Sequence, residues 1–260
     1  MDKGLHPLDE RYLDAYGVPD QQTAEGGPQS SWPRCPLCFR ALVPTGHNRG
    51  GFRYFRHEQP ADDERCALTT SSYQLPGMSV GYVRDPMVEL RYRRRFLQQW
   101  QWHYRRVREV TPWFSLPLFT RMIEYADVMN LWSYPALRLD DAPYVLLVMA
   151  GFISTRTASG ELTRERFWFD GSVADVGDLW SAGRTVPATL FRVVYRAPLQ
   201  TPLPTAASIM YWEPVRQVTR LADISVPRVS RSELKSFARF LERYEAQRRT
   251  RLSGVSEDWL

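Results

Sequence analysis

The sequence predicts an α+β fold: a small zinc-ribbon module, a basic helical middle, and a mainly antiparallel β domain closed by a C-terminal helix. Three observations predict it. All three cysteines fall between residues 35 and 66, as Cys35-Pro36-Leu37-Cys38 and then Cys66, with His57 between them. Two stretches, 85–109 and 230–252, begin at a capping signal, Asp85-Pro86 in the first, and run on from it without proline or glycine. Between Pro143 and Pro214, short apolar or alternating runs are separated by turn residues, as in a meander of strands.

Residues 1–34 read as an acidic segment and linker. Leu5, Leu8, Tyr12, Leu13 and Tyr16 have the spacing of a short amphipathic helix, and residues 23–33 are rich in Gly, Ser, Gln and Pro. The segment lacks the basic-then-apolar pattern of a secretion signal.

Residues 35–80 form the expected ribbon module. A C-x₂-C turn lets two thiolates reach one ion, and a structural Zn²⁺ takes four Cys or His donors. Cys35, Cys38, His57 and Cys66 are the expected set. The stretch from Glu58 to Arg65, with Pro60, Asp62, Asp63 and Glu64, is expected to bulge outward as an exposed loop. His47 competes with His57, but it sits in a Gly-rich tip, Thr45-Gly46-His47-Asn48-Arg49-Gly50-Gly51. His57 ends Phe52-Arg53-Tyr54-Phe55-Arg56, whose alternation is that of a half-buried strand. Four protein ligands close the coordination sphere, so the zinc is expected to be structural. No H-E-x-x-H occurs, and the zinc-deaminase pattern is absent.

This run of residues resembles the N-terminal zinc-ribbon element of CoiA-like competence proteins, which carry a C-P-x-C start and an H-F-x-H strand. The first histidine of that strand is Tyr54 here, and the resemblance covers about residues 32–70 only. It implies a restriction-like nuclease domain after the ribbon. Such a nuclease needs an Asp followed by E-x-K, and Asp223 with Glu233-Leu234-Lys235 fits superficially. Ser230-x-x-Glu233 is, however, a capping box, with Leu234, Phe237, Leu241 and Tyr244 on one helical face behind it. No catalytic residue is assigned, and a binding protein is expected rather than an enzyme.

The basic helical region spans residues 81–135. Asp85-Pro86 has the form of an N-cap followed by an N1 proline, which predicts one helix of roughly six turns to Glu109. Val88, Tyr92, Phe96, Trp100 and Val107 make its apolar stripe. Arg91, Arg93, Arg94, Arg95, Arg105, Arg106 and Arg108 decorate the rest, with Trp102 interleaved. The chain has 34 basic residues, of which only Lys3 and Lys235 are lysine, against 29 acidic ones. Guanidinium groups fork onto phosphates, and exposed rings stack on unpaired bases. These seven arginines and Trp102, with Arg49, Arg53 and Arg56 of the ribbon, are therefore the expected contacts to nucleic acid, DNA or RNA.

Residues 136–260 form the expected β domain and closing helix. Tyr144–Met149 reads as a buried strand paired with Arg164–Phe169 across a Ser159-Gly160 turn, followed by strands at 190–196 and 208–212. Asp140, Asp141, Asp170, Asp175 and Asp178 suit turns and caps rather than a cation. The last helix carries Arg231, Arg239, Arg243, Arg248, Arg249 and Arg251, which suits docking to other protein subunits. A subunit of a CRISPR-like or mobile-element nucleoprotein assembly is therefore the alternative class, and a CoiA-like metal-dependent nuclease a third. No apolar run approaches the roughly 20 residues that span a bilayer. A reducing cytoplasm is the expected compartment.

Overall fold

The computed structural model describes residues 1, 3–7, 11–18, 32–46, 53–70, 78–157, 159–197, 204–217 and 223–254. In chain order the strands are β1 Lys3–Leu5, β2 Tyr12–Asp14, β3 Leu42–Thr45, β4 Tyr54–His57, β5 Ile153–Arg156, β6 Leu162–Phe169, β7 Leu190–Arg196 and β8 Ile209–Val215. The helices are α1 Pro60–Arg65, α2 Pro86–Gln98, α3 Trp100–Val110, α4 Leu116–Val128, α5 Ala142–Met149 and α6 Arg231–Gly254. Helices and antiparallel sheets together make the fold α+β, as expected.

The chain divides into two compact units that interleave along the sequence. One holds residues 1–80 and 147–216, the other 81–146 and 217–260. The residues around the cysteines share a unit with the sheet, and the C-terminal helix shares one with the basic helices.

In the first unit, β5-β6-β7-β8 form an antiparallel meander, with Trp168 opposite Phe191 and Val193 opposite Trp212. A register shift between Val194 and Tyr195 bends its last pairing. Two short hairpins, β1-β2 and β3-β4, complete the strands. The N-terminal residues expected as a helix are a hairpin, because Leu5 is drawn into backbone hydrogen bonds with Arg34 in both directions (2.7 and 2.8 Å). A local helix would forgo that pairing; Leu8 lies outside the described residues. One apolar core joins the cysteine segment to the sheet: Cys35, Leu37, Leu42, Phe55 and Cys66 pack with Trp168, Phe191, Val193 and Tyr195.

In the second unit α2 starts as the sequence predicts, Asp85 accepting from the amides of Met87 and Val88. The single six-turn helix does not form. Gln99, at φ −107° and ψ 15°, ends α2, and its carbonyl accepts from the amides of Trp102 and His103 as α3 begins. Phe96 and His103 stack across this break with centroids 4.3 Å apart. In a straight helix residues seven apart are separated by about 10.5 Å along the axis, so the break lets these buried rings meet. Around them Trp100 stacks on Phe237 of α6 at 3.9 Å, and Phe96 packs on Trp132 at 4.7 Å.

Tyr144–Met149, expected as a strand, is most of α5, and β6 pairs instead with Ile153–Arg156. The run is apolar on every side because Ala142, Tyr144, Val145, Leu146, Leu147 and Val148 are all buried. A helix buried all round carries no amphipathic period, so sequence periodicity could not separate it from a buried strand. The other strand expectations stand in place: β6 and β7 cover 162–169 and 190–196, and β8 begins at Ile209 and runs on to Val215.

Candidate metal centre and arginine surfaces

Three pieces of local structure bring the four expected ligands together. The first is a tight turn: the Phe39 amide donates to the Cys35 carbonyl at 2.9 Å and the Cys35 amide to the Arg40 carbonyl at 2.8 Å. Phe39 takes a positive φ of 60° to close it, a conformation a bulky residue adopts only where the surroundings impose it. The second piece is β4, whose side chains alternate outward and inward, so that Tyr54 and Arg56 are exposed while Phe55 and His57 are buried. The third is α1. The stretch expected to bulge as a loop forms this one-and-a-half-turn helix, with Pro60 at its start and Cys66 as its C-cap.

The ligand atoms of Cys35, Cys38, His57 and Cys66 all lie within 4.8 Å of one another. The Cys35 and Cys66 sulfurs are 3.7 Å apart, and the Cys38 sulfur is 3.1 Å from His57 Nε2. A tetrahedral zinc with bonds of about 2.3 Å to sulfur and about 2.0 Å to nitrogen gives edges of roughly 3.8 Å between sulfurs and roughly 3.5 Å from sulfur to nitrogen. The first separation matches; the second is a few tenths shorter, at hydrogen-bonding distance. All three cysteines are free thiols. The cluster can hold a metal ion, and among the described residues it is the one group of three or more Cys, His, Asp or Glu gathered closely enough to do so.

Burial and mutual contact set its protonation. Burial pushes the Cys35 thiol well up. Hydrogen bonds from Cys35 and Cys66 pull the Cys38 thiol strongly down, so the negative charge settles there. Burial opposes a charge on His57, but Cys38, Cys66 and Asp63 raise its pKa to about 11.

Asp63 is the functional residue that sequence reasoning missed. Its carboxylate Oδ1 lies 2.7 Å from His57 Nδ1 and 3.2 Å from the His57 amide, while the Thr69 hydroxyl donates to the Asp63 carbonyl at 3.0 Å. When a metal displaces the Nε2 proton, a carboxylate holding Nδ1–H would orient the ring so that the freed Nε2 lone pair faces the sulfurs. The only signal was an acidic residue six positions after the histidine, which also suits an exposed loop.

A second contact locks the turn to the sheet. A Cβ on Gly171 would meet the Cα, C and O of Cys38 at 2.9 Å. The turn after β6 therefore seats directly on the Cys35–Cys38 backbone. Next to it, Asp170 is buried and accepts from the amides of Ser172 (3.0 Å) and Thr189 (2.6 Å), a turn role as expected. Asp175 and Asp178 form a capping box.

The expected nucleic-acid contacts separate into two groups. Arg93 is buried, its Nε shared between both Asp127 oxygens (2.9 and 3.0 Å) and its Nη1 2.6 Å from Glu245. Arg106 is buried beneath Trp102 and bonded to Asp140 at 2.9 Å. Arg53 is also buried. These three of the expected contacts are therefore interior rather than on the surface. Arg105 is half-buried and donates to the Val226 carbonyl at 3.2 Å; Arg108, also half-buried, lies over Tyr104 and 3.8 Å from Glu233.

The remainder are open. Arg56 is exposed on β4, and Arg91, Arg94 and Arg95 are exposed on α2 without a carboxylate partner among the described residues. Trp102 is half-buried. Arg49 and His47 lie outside the described residues. The capping box at α6 is reciprocal: the Ser230 amide donates to the Glu233 carboxylate at 2.8 Å, and the Glu233 amide to the Ser230 hydroxyl at 3.2 Å. Tyr104 also donates to Glu233 at 3.2 Å, so this carboxylate is committed to holding the helix start.

Compared with protein-family models, with curated proteins and with solved structures, the chain matches none. No helix among the described residues is long and apolar enough to cross a membrane.

Proposed function

We propose that the protein binds nucleic acid through the exposed arginine face of α2, and that Cys35, Cys38, His57 and Cys66 hold a structural Zn²⁺. Three thiolates and one imidazole are a soft donor set that favours zinc over magnesium or calcium. Four protein donors leave no position for water, which suits a folding role rather than a catalytic one. Free thiols in this number also suit a reducing compartment such as the cytoplasm.

One observation supports the binding reading. Two buried arginines of this unit have carboxylate partners: Arg93 has Asp127 and Glu245, and Arg106 has Asp140. Arg91, and Arg94 and Arg95 one helical turn further along the same helix, have no such partner among the described residues. Unpaired guanidinium groups on one exposed face form a phosphate-binding array.

The test is the Arg91→Gln/Arg94→Gln/Arg95→Gln variant, titrated with labelled oligonucleotides at several salt concentrations. Each phosphate contact contributes about 0.7–0.9 to the slope of log affinity against log salt. Losing three should cut affinity at least ten-fold and lower that slope by about 2 to 3. Affinity and slope unchanged from wild type would place the site elsewhere.

A further inference from the structure

The break at Gln99 opens a cleft of about 860 Å³ beside the arginine face, between the α2–α3 elbow and the segment Leu137–Asp140. Its chemistry differs from that face. Gln98, Gln99 and Gln101 are exposed on its rim, and the half-buried rings of Tyr92 and Trp102 line it. A carboxamide presents a donor and an acceptor side by side, the pattern of a base edge, whereas it adds nothing to phosphate binding by charge. Resting on the nucleic-acid reading above, we propose that this cleft receives an unpaired nucleobase, so that the ligand is single-stranded.

Both rings are held in place, and the Arg91 guanidinium lies 4.8 Å from the Tyr92 ring centroid. The Tyr92 hydroxyl donates to the Pro135 carbonyl at 2.8 Å. The guanidinium of buried Arg106 lies 5.0 Å from the Trp102 ring and is itself fixed by Asp140 at 2.9 Å. A ring whose position is set before binding loses little entropy when a base stacks on it. The Asp140 side chain is 68% exposed at the cleft, where the carboxylate that Arg106 holds can accept from an exocyclic amino group. Phosphates would follow Arg95, at the cleft edge, onto Arg94 and Arg91. A base paired in a duplex cannot enter such a cleft without being unpaired and unstacked.

The experiment measures fluorescence anisotropy of one labelled sequence as single strand and as blunt duplex. It uses the full chain, its Gln98→Ala/Gln101→Ala variant and the arginine-to-glutamine triple variant, at one salt concentration. Both glutamines are exposed, so the double variant is expected to fold. The single strand should bind at least ten-fold tighter than the duplex. The double variant should lose most of that preference while keeping its duplex affinity, and the arginine variant should weaken both ligands. Equal binding of strand and duplex, or an undiminished preference in the double variant, would overturn the cleft assignment and leave the arginine face standing. Failure to bind either ligand would overturn both readings.

Discussion

At the scale of single residues the metal cluster is the most constrained part of the molecule. Replacing Cys38, the sulfur on which negative charge settles, should abolish stoichiometric zinc: the Cys38→Ser protein is expected to carry much less than one ion per chain by elemental analysis and to be poorly soluble. Full zinc content in that variant would remove Cys38 from the ligand set. Asp63 acts through His57 rather than as a ligand. Asp63→Ala should therefore leave a binding site whose affinity, measured by competition with a chromogenic chelator, is about 10- to 100-fold weaker. An unchanged affinity would reduce Asp63 to a loop residue. A second histidine gives a pH signature. His103 is fully buried against Phe96, with neither ring nitrogen hydrogen-bonded among the described residues. Burial, with the nearby Arg106 charge, lowers its pKa to about 3. Because the folded value lies below the ordinary 6.5, its contribution to stability is complete above pH 6.5 and declines as pH falls from there toward 3. The loss amounts to a few kcal/mol, on the order of 1.4 kcal/mol for each pH step crossed in that window. Urea melts at pH 7.5 and 5 should show that decline in the wild type and a smaller one in His103→Phe, which keeps the ring stack but cannot titrate. Equal declines would assign the acid sensitivity to other groups.

Elements differ in how far local signals carry them. The starts of α2 and α6 are written in Asp85-Pro86 and Ser230-x-x-Glu233, and both caps form because each satisfies amides that a helix start leaves unpaired. The alternation in β4 likewise states which residues turn inward. The Gln99 break carries no glycine or proline, and it depends on rings that stack only when the fold has assembled. Gly171 shows the same dependence between elements. Its Cβ position is filled by Cys38 backbone, which cannot swing aside as a flexible side chain could. Gly171→Ala should destabilise the protein by about 1–3 kcal/mol and weaken metal retention. Gly183→Ala, where nothing lies within 4 Å, serves as the control. Matched melting temperatures for the two variants would show that the turn and the sheet are not tightly seated.

For the whole molecule, the interleaving of two units puts the cysteine cluster and the sheet on one core. The Cys35–Cys66 segment is too short to bury much apolar surface by itself, and its core residues are shared with β6 and β7. Removing metal by chelation should therefore loosen Trp168 and Phe191 of the sheet as well as the cysteine turns. Hydrogen exchange in β6 and β7 should quicken after chelation, while α2 to α4 and α6 keep their protection. Protection lost equally in both sets would mean that the two units unfold as one. The polar interior of the second unit, where Arg93 meets Asp127 and Glu245, supplies its own constraint, since removing one member leaves a buried charge unpaired.

The sequence by itself determined the α+β class, the four ligands that the fold gathers, two helix starts and three of the four meander strands. Each rests on residues close in sequence or on donor chemistry that few side chains possess. Tertiary structure alone decided which arginines are interior, because burial depends on the opposite surface, and Arg93 and Arg94 are adjacent in the chain with opposite fates. It also decided that Tyr144–Met149 is helical, since a run apolar on all sides has no period to read. Partition into units was equally hidden: segments distant along the chain combine wherever their apolar faces fit, and that fit is a property of shape.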